Sequence, residues 1–158
     1  MVNYHNSFGW IALHYVVLLS MVFFCSVAFA GLGEDVSSVQ IDGVRMKAEV
    51  RLLPSQGFAI HELSVPSGTH VREFVSPSGQ VFGISWQGPY APDLRQLLGQ
   101  YFEQYMQAAQ TMPRIFRRGI HLETGDLVFE SGGHMRFMVG RAYLRSKLPD
   151  GVSANDVR

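Results

Sequence analysis

The chain has 158 residues, with 13 basic and 13 acidic side chains, one cysteine and 12 % aromatic residues. Zero net charge excludes the basic stripe with which a nucleic-acid binder displaces counterions from phosphates. The lone Cys25 excludes a disulfide scaffold and a zinc–cysteine centre, and the chain is long enough to bury a core without such staples.

Met1 to Ala30 contains no Asp, Glu, Lys or Arg, is almost wholly apolar from Tyr15 to Phe24, and ends in the small-x-small pattern Ala28-Phe29-Ala30. That pattern predicts a secretory signal, residues 1–30, cleaved after Ala30 to leave a single domain, residues 31–158. The positive charge expected at the start of a signal is missing. The alternative is therefore an uncleaved inner-membrane anchor from Ile11 to Ala30, a stretch of about the 20 residues that a membrane helix needs. Cys25 inside it reads as apolar filler, with no lipidation signal before it.

Gly31-Leu32-Gly33 reads as a flexible start. Asp35 is placed to cap a helix running toward Ala48 with Val36, Val39, Gly43 and Met46 on one side, and Glu49 to Leu53 is expected to be extended. Pro54 to Gly57 is a turn. From Gly57 to Pro89 the sequence predicts a three-stranded antiparallel meander, because Pro66-Ser67-Gly68 and Pro77-Ser78-Gly79 combine a preset proline angle with a glycine that accepts a positive one. His70–Val75 and Val81–Trp86 are rich in β-branched and aromatic residues. Alternation places Phe82, Ile84 and Trp86 on one face of the third strand and Val81, Gly83 and Ser85 on the other. In the second strand Val71, Glu73 and Val75 share a face opposite His70, Arg72 and Phe74, so the sheet is expected to be wet on part of both faces.

Pro92 suits the first turn of a helix reaching Gln110, with Leu94, Leu97, Leu98, Tyr101, Phe102 and Tyr105 at amphipathic spacing and Met112-Pro113 ending it. Thr124-Gly125-Asp126 reads as a hairpin turn. Ser131-Gly132-Gly133 is expected to reverse the chain into a strand from His134 to Leu144, with Phe137, Val139 and Tyr143 opposite Met138, Ala142 and Leu144. Pro149-Asp150-Gly151 is a last turn before a polar tail. The elements describe an α+β domain: a meander plus C-terminal antiparallel strands, packed on one main amphipathic helix.

Charge is uneven, with five basic and eight acidic residues from Gly31 to Gln110 and eight basic and five acidic from Thr111 to Arg158. The expected meaning is attraction between the two halves; the alternative is an anion patch at Arg114, Arg117 and Arg118. No catalytic motif announces itself. His121-x-Glu123 lacks the cysteines of a zinc deaminase, the serines lack a nucleophile elbow, and Ser131-Gly132-Gly133 lacks the lysine of a phosphate loop. Two histidines and a carboxylate from His61, His70 and Glu73 could converge on a metal, but without helical-turn spacing the expectation is no metal and no cofactor.

Gly31-Leu32-Gly33, Val71-Arg72-Glu73-Phe74-Val75-Ser76, Val81 to Pro89, Pro92-Asp93-Leu94 with Leu97-Leu98-Gly99, and Ser131 to Met135 together resemble the bacterial family called domain of unknown function 2844. The resemblance covers nearly the whole chain after the leader. It implies exported proteins of Gram-negative bacteria with a single small domain, and assigns no activity and no functional residues. Glu34, where the family has a small residue, and the uncharged leader depart from its pattern.

The expected function is a non-catalytic periplasmic or secreted binding or assembly domain. Its partner is an envelope protein or small ligand, with no nucleic acid, and a membrane only if the anchor is retained. The candidate binding strip is His61, His70, Arg72, Glu73 and Trp86. The alternatives are a small hydrolase using a His/Glu pair from that strip and a membrane-anchored structural protein.

Overall fold

Two turns of the same sequence set the first half of the sheet. In Val65-Pro66-Ser67-Gly68 and in Ser76-Pro77-Ser78-Gly79 the glycine N–H donates to the carbonyl three residues back, at 2.9 Å in both, and each glycine has φ above +80°. A side chain there would be strained, which is why both turns end in glycine. They join β2 (Ala59–Ser64), β3 (His70–Val75) and β4 (Val81–Gly88) into the expected meander, and β1 (Glu49–Leu53) pairs antiparallel with β2. This computed structural model describes residues 31–112 and 119–158. The leader and Arg114, Arg117 and Arg118 lie outside the described residues.

The C-terminal strands β5 (Gly119–Thr124), β6 (Leu127–His134) and β7 (Phe137–Leu144) complete one seven-stranded antiparallel sheet in the order β1-β2-β3-β4-β7-β6-β5. The last strand thus inserts beside the fourth, and β4 lies at the centre. The α+β architecture is as expected. The turn between β6 and β7 is not. Ser131-Gly132-Gly133 stays within β6, paired with Gly140, Val139 and Met138, and the reversal falls on Met135-Arg136, where Arg136 takes φ +68°. Gly133 is needed for close approach instead: a Cβ on it would lie 2.2 Å from the Phe137 carbonyl oxygen.

A bulge in β4 corrects the predicted faces. Val75 pairs with Val81 but Phe74 pairs with Gly83, so Phe82 is an extra residue and the alternation slips. Val81, Ile84 and Trp86 face the helices, whereas Phe82 turns to the other side and packs on Phe74 and Phe58.

Helix α1 (Ser37–Met46) begins two residues after Asp35, whose Oδ1 accepts the Ser37 N–H at 2.9 Å. The main helix begins later than Pro92. Asp93 is its cap, accepting the N–H groups of Arg95 and Gln96, and Pro92 precedes it. It is also broken: α2 (Leu94–Leu98) passes through a 3₁₀ turn at Gly99–Tyr101 into α3 (Phe102–Thr111). These helices cover one sheet face, burying Leu97, Leu98 and Val39 against Leu63, Val71, Ile84, Trp86 and Phe129. Gly31 to Gly33 is not a loose start. Leu32 is fully buried, its N–H donates to Leu97, and the Gly33 N–H donates to Val81.

The opposite face is half covered by the chain's end. The tail after β7 carries Leu148, Val152, Ala154 and a fully buried Val157 onto Phe74, Phe82, Val128 and Tyr143. These apolar positions are spread among polar ones along the tail. The remainder of that face is open. Ion pairs among the described residues join partners from the same half of the sequence, so among those residues the expected attraction between the halves takes no form of direct pairing.

Candidate ligand-binding groove

Sheet register assembles a polar row that no single strand reveals. Arg51, Glu62, Arg72, Ser85, Arg141, Glu130 and His121 are successive cross-strand partners from β1 to β5, all on the tail-side face. Charges of opposite sign sit next to one another along it. Arg72 Nε donates to Glu62 at 2.9 Å, Arg141 Nε to Glu130 at 2.7 Å, and His121 Nδ1 lies 3.1 Å from Glu130. The Arg141 guanidinium, and behind it His121, hold Glu130 below the ordinary carboxylate range. At the centre, on β4, the row reaches the uncharged Ser85.

Where the tail leaves this face uncovered there is a cavity of about 480 Å³, bordered among others by His70, Arg72, Ser85, Gln87, Glu130 and Arg141. The tail itself forms one side. Arg72 Nη1 donates to the main-chain oxygen of Arg158 at 3.1 Å and Arg141 Nη1 to that of Ala154 at 2.7 Å. Apolar lining comes from the Val139 side chain, and the Gly140 backbone, which carries no side chain, borders the cavity beside it.

The sheet divides the strip expected from sequence. His70 and Arg72 are on the groove face, with His70 exposed and its Nδ1 3.2 Å from the Ser64 hydroxyl. Trp86 also borders the cavity, but its ring is buried on the helix side against Phe129, at 5.5 Å between centroids. His61 and Glu73 are direct partners in the register and lie on the helix-covered face. The five residues are therefore not one surface, because neighbours along a strand point to opposite sides. The same pleat separates His61 from His70 and removes the two-imidazole cluster that a shared metal would need.

Glu73 belongs to a different constellation. It is fully buried with no hydrogen-bond partner on either carboxylate oxygen, beside Asp42 of α1, which is also fully buried and has Oδ2 unpartnered. Asp42 Oδ1 accepts from Gln96 Nε2 at 2.6 Å. Burial, and then the neighbouring Asp42 charge, push Glu73 well above the ordinary carboxylate range; burial raises Asp42 as well, opposed by the Gln96 bond. Burial lowers His61. Such a pair is a feature of the core, closed off from the groove by the sheet.

The sequence reading missed Ser85, Gln87, Glu130 and Arg141. Ser85 and Gln87 alternate with apolar residues in β4, Glu130 follows an apolar run in β6, and Arg141 is the one charged residue of β7; only the pairing of β4 with β7, more than fifty residues apart, unites them. The match to a family model decides the chain's kinship: residues 28–157 fit the family described as protein of unknown function (DUF2844). The chain belongs to that family. No curated protein and no solved structure matches it. The matched residues of this DUF2844 member include every strand of the sheet and the tail as far as Val157, leaving out Arg158 at the edge of the groove.

Proposed function

We propose that this DUF2844 protein is a non-catalytic binding domain of the bacterial envelope, exported by its apolar leader, and that the groove over Ser85 holds its ligand. The observation that carries the reading is the cavity of about 480 Å³ over the polar row, with Val139 at its side. Small-ligand sites have volumes of roughly 300–1,000 Å³ and orient their ligands through a few placed polar groups. A hydrolase would need an imidazole and a carboxylate that both border the cavity within hydrogen-bond reach of each other. His121 reaches Glu130 at 3.1 Å but is not among the residues that border the cavity. His70 on β3 and Glu130 on β6 stand three strands apart, roughly 14 Å at ordinary strand spacing. The opposed pair of His61 and Glu73 has its carboxylate sealed in the core. Export is supported by the uncharged, apolar Met1 to Ala30 and its Ala28-Phe29-Ala30 ending.

The test is native mass spectrometry of the protein recovered from periplasmic and membrane fractions of its own host. The expected species is soluble, begins at Gly31 and carries a small molecule that is lost in Val139→Trp, which fills the groove. A membrane-bound species retaining Met1 would replace export with anchoring. If no molecule copurifies and no compound in a diverse library raises the melting temperature, the binding reading is refuted. Turnover of simple ester or phosphoester substrates that vanishes in His70→Ala would replace it with the hydrolase.

A further inference from the structure

The two arginines of the groove floor are held alike. Each gives Nε to a glutamate on the adjacent outer strand and Nη1 to a main-chain oxygen of the tail. Among the described residues no partner engages Nη2 of either, and the Ser85 hydroxyl between them makes no hydrogen bond. Both guanidinium groups are thus fixed on two sides, with donors left over for the cavity they border. Their side chains are 34 % and 23 % exposed, enough for a ligand to reach and little enough to weaken competition from water. β3 and β7 flank β4, so the two backbones are roughly 10 Å apart, a span that two arginines close around one group.

Resting on the binding reading above, we infer that the groove takes a small organic oxyanion, its carboxylate or phosphate group held between Arg72 and Arg141 over Ser85 and its apolar body against Val139 and the side-chain-free backbone at Gly140. Guanidinium forks match the planar or tetrahedral oxygens of such groups, and here little side-chain ordering remains to oppose binding. The cavity volume sets the size of the ligand, well below that of a folded partner.

Calorimetry on the full-length chain at low ionic strength tests this with three probes of one shape: benzoate, phenyl phosphate and benzyl alcohol. At least one anion binds saturably and at least tenfold more tightly than the alcohol, and the tighter of the two tells carboxylate from phosphate. Arg72→Gln and Arg141→Gln each weaken that anion at least tenfold. Ser85→Asp is the variant that does not depend on losing an arginine, since it sets a carboxylate between the two guanidinium groups. It is expected to abolish anion binding and to raise the melting temperature. Equal affinity for the alcohol and the anions overturns the inference while leaving a binding groove in place. Anion affinity unchanged in Ser85→Asp, or no binding of any probe, also overturns it, and the library screen described above then decides separately whether the groove binds at all.

Discussion

Replacing Glu73 by glutamine isolates the energetic consequence of the buried acid pair. In the folded chain Glu73 is held far above the ordinary carboxylate range by burial and by Asp42, so the pair keeps a proton that the unfolded chain gives up near the ordinary value of 4.5. The stability this contributes is fully present at acid pH, below the unfolded value. It is lost as pH rises from there toward the pair's own titration in the fold. Each pH unit in that window costs about 1.4 kcal/mol, until the pair itself titrates. The substituted amide keeps the shape, carries no charge at any pH, and can donate to the Asp42 oxygen that now has no partner. The Glu73→Gln variant should match the parent near pH 5 and exceed it by a margin that widens as pH rises toward 7, at up to about 1.4 kcal/mol per unit. Urea denaturation followed by tryptophan fluorescence at intervals of half a pH unit measures both curves. Parallel curves between pH 5 and 7 would refute the assignment of a retained proton, whatever the absolute stabilities.

Other substitutions test the packing that shapes the groove. Gly140→Ala places a methyl group 2.1 Å from Trp86 Cζ2, so the ring must leave its seat on Phe129; a loss of about 1–3 kcal/mol and a shifted tryptophan emission are expected. Asp93→Ala removes the cap of α2 and should cost about 1 kcal/mol in chemical denaturation. Arg136→Gly relieves a side chain from φ +68° at the β6–β7 turn and should raise stability by about 1 kcal/mol, seen as a higher urea midpoint.

The local parts of this fold were legible because local chemistry decides them. Two proline-serine-glycine turns imposed the meander, and the leucine and aromatic spacing from Leu94 to Tyr105 marked the face that buries. What escaped depended on contacts between distant segments. Nothing in the sequence around Phe82 signals a bulge, yet one extra residue there reassigns Val81 and Phe82 to opposite sides of the sheet. Val157 looks like one apolar residue in a polar tail until the aromatic surface it covers is assembled from several strands. Glycine runs mislead for a similar reason: Gly133 serves the close approach of a neighbouring strand, and the turn falls to Arg136. His70 and Arg72 were correctly placed on one face of β3, but their companions at the groove come from β4, β6 and β7.

The insertion of β7 beside β4 also dictates an order of assembly. The first four strands can pair as soon as they leave the ribosome, since each joins its neighbour through a short turn. β4 then waits for a partner more than fifty residues downstream, with Val81 to Trp86 all destined for burial and one row of its backbone donors and acceptors unpaired. An exposed apolar edge of this kind recruits strands from other chains. Closure by a non-local strand is slow compared with hairpin formation. The final 22 residues, from Phe137 onward, therefore act as an intramolecular chaperone for the half made first: β7 seals the edge and the tail covers the aromatic face. A chain halted before residue 137 would retain a complete meander and aggregate through its central strand.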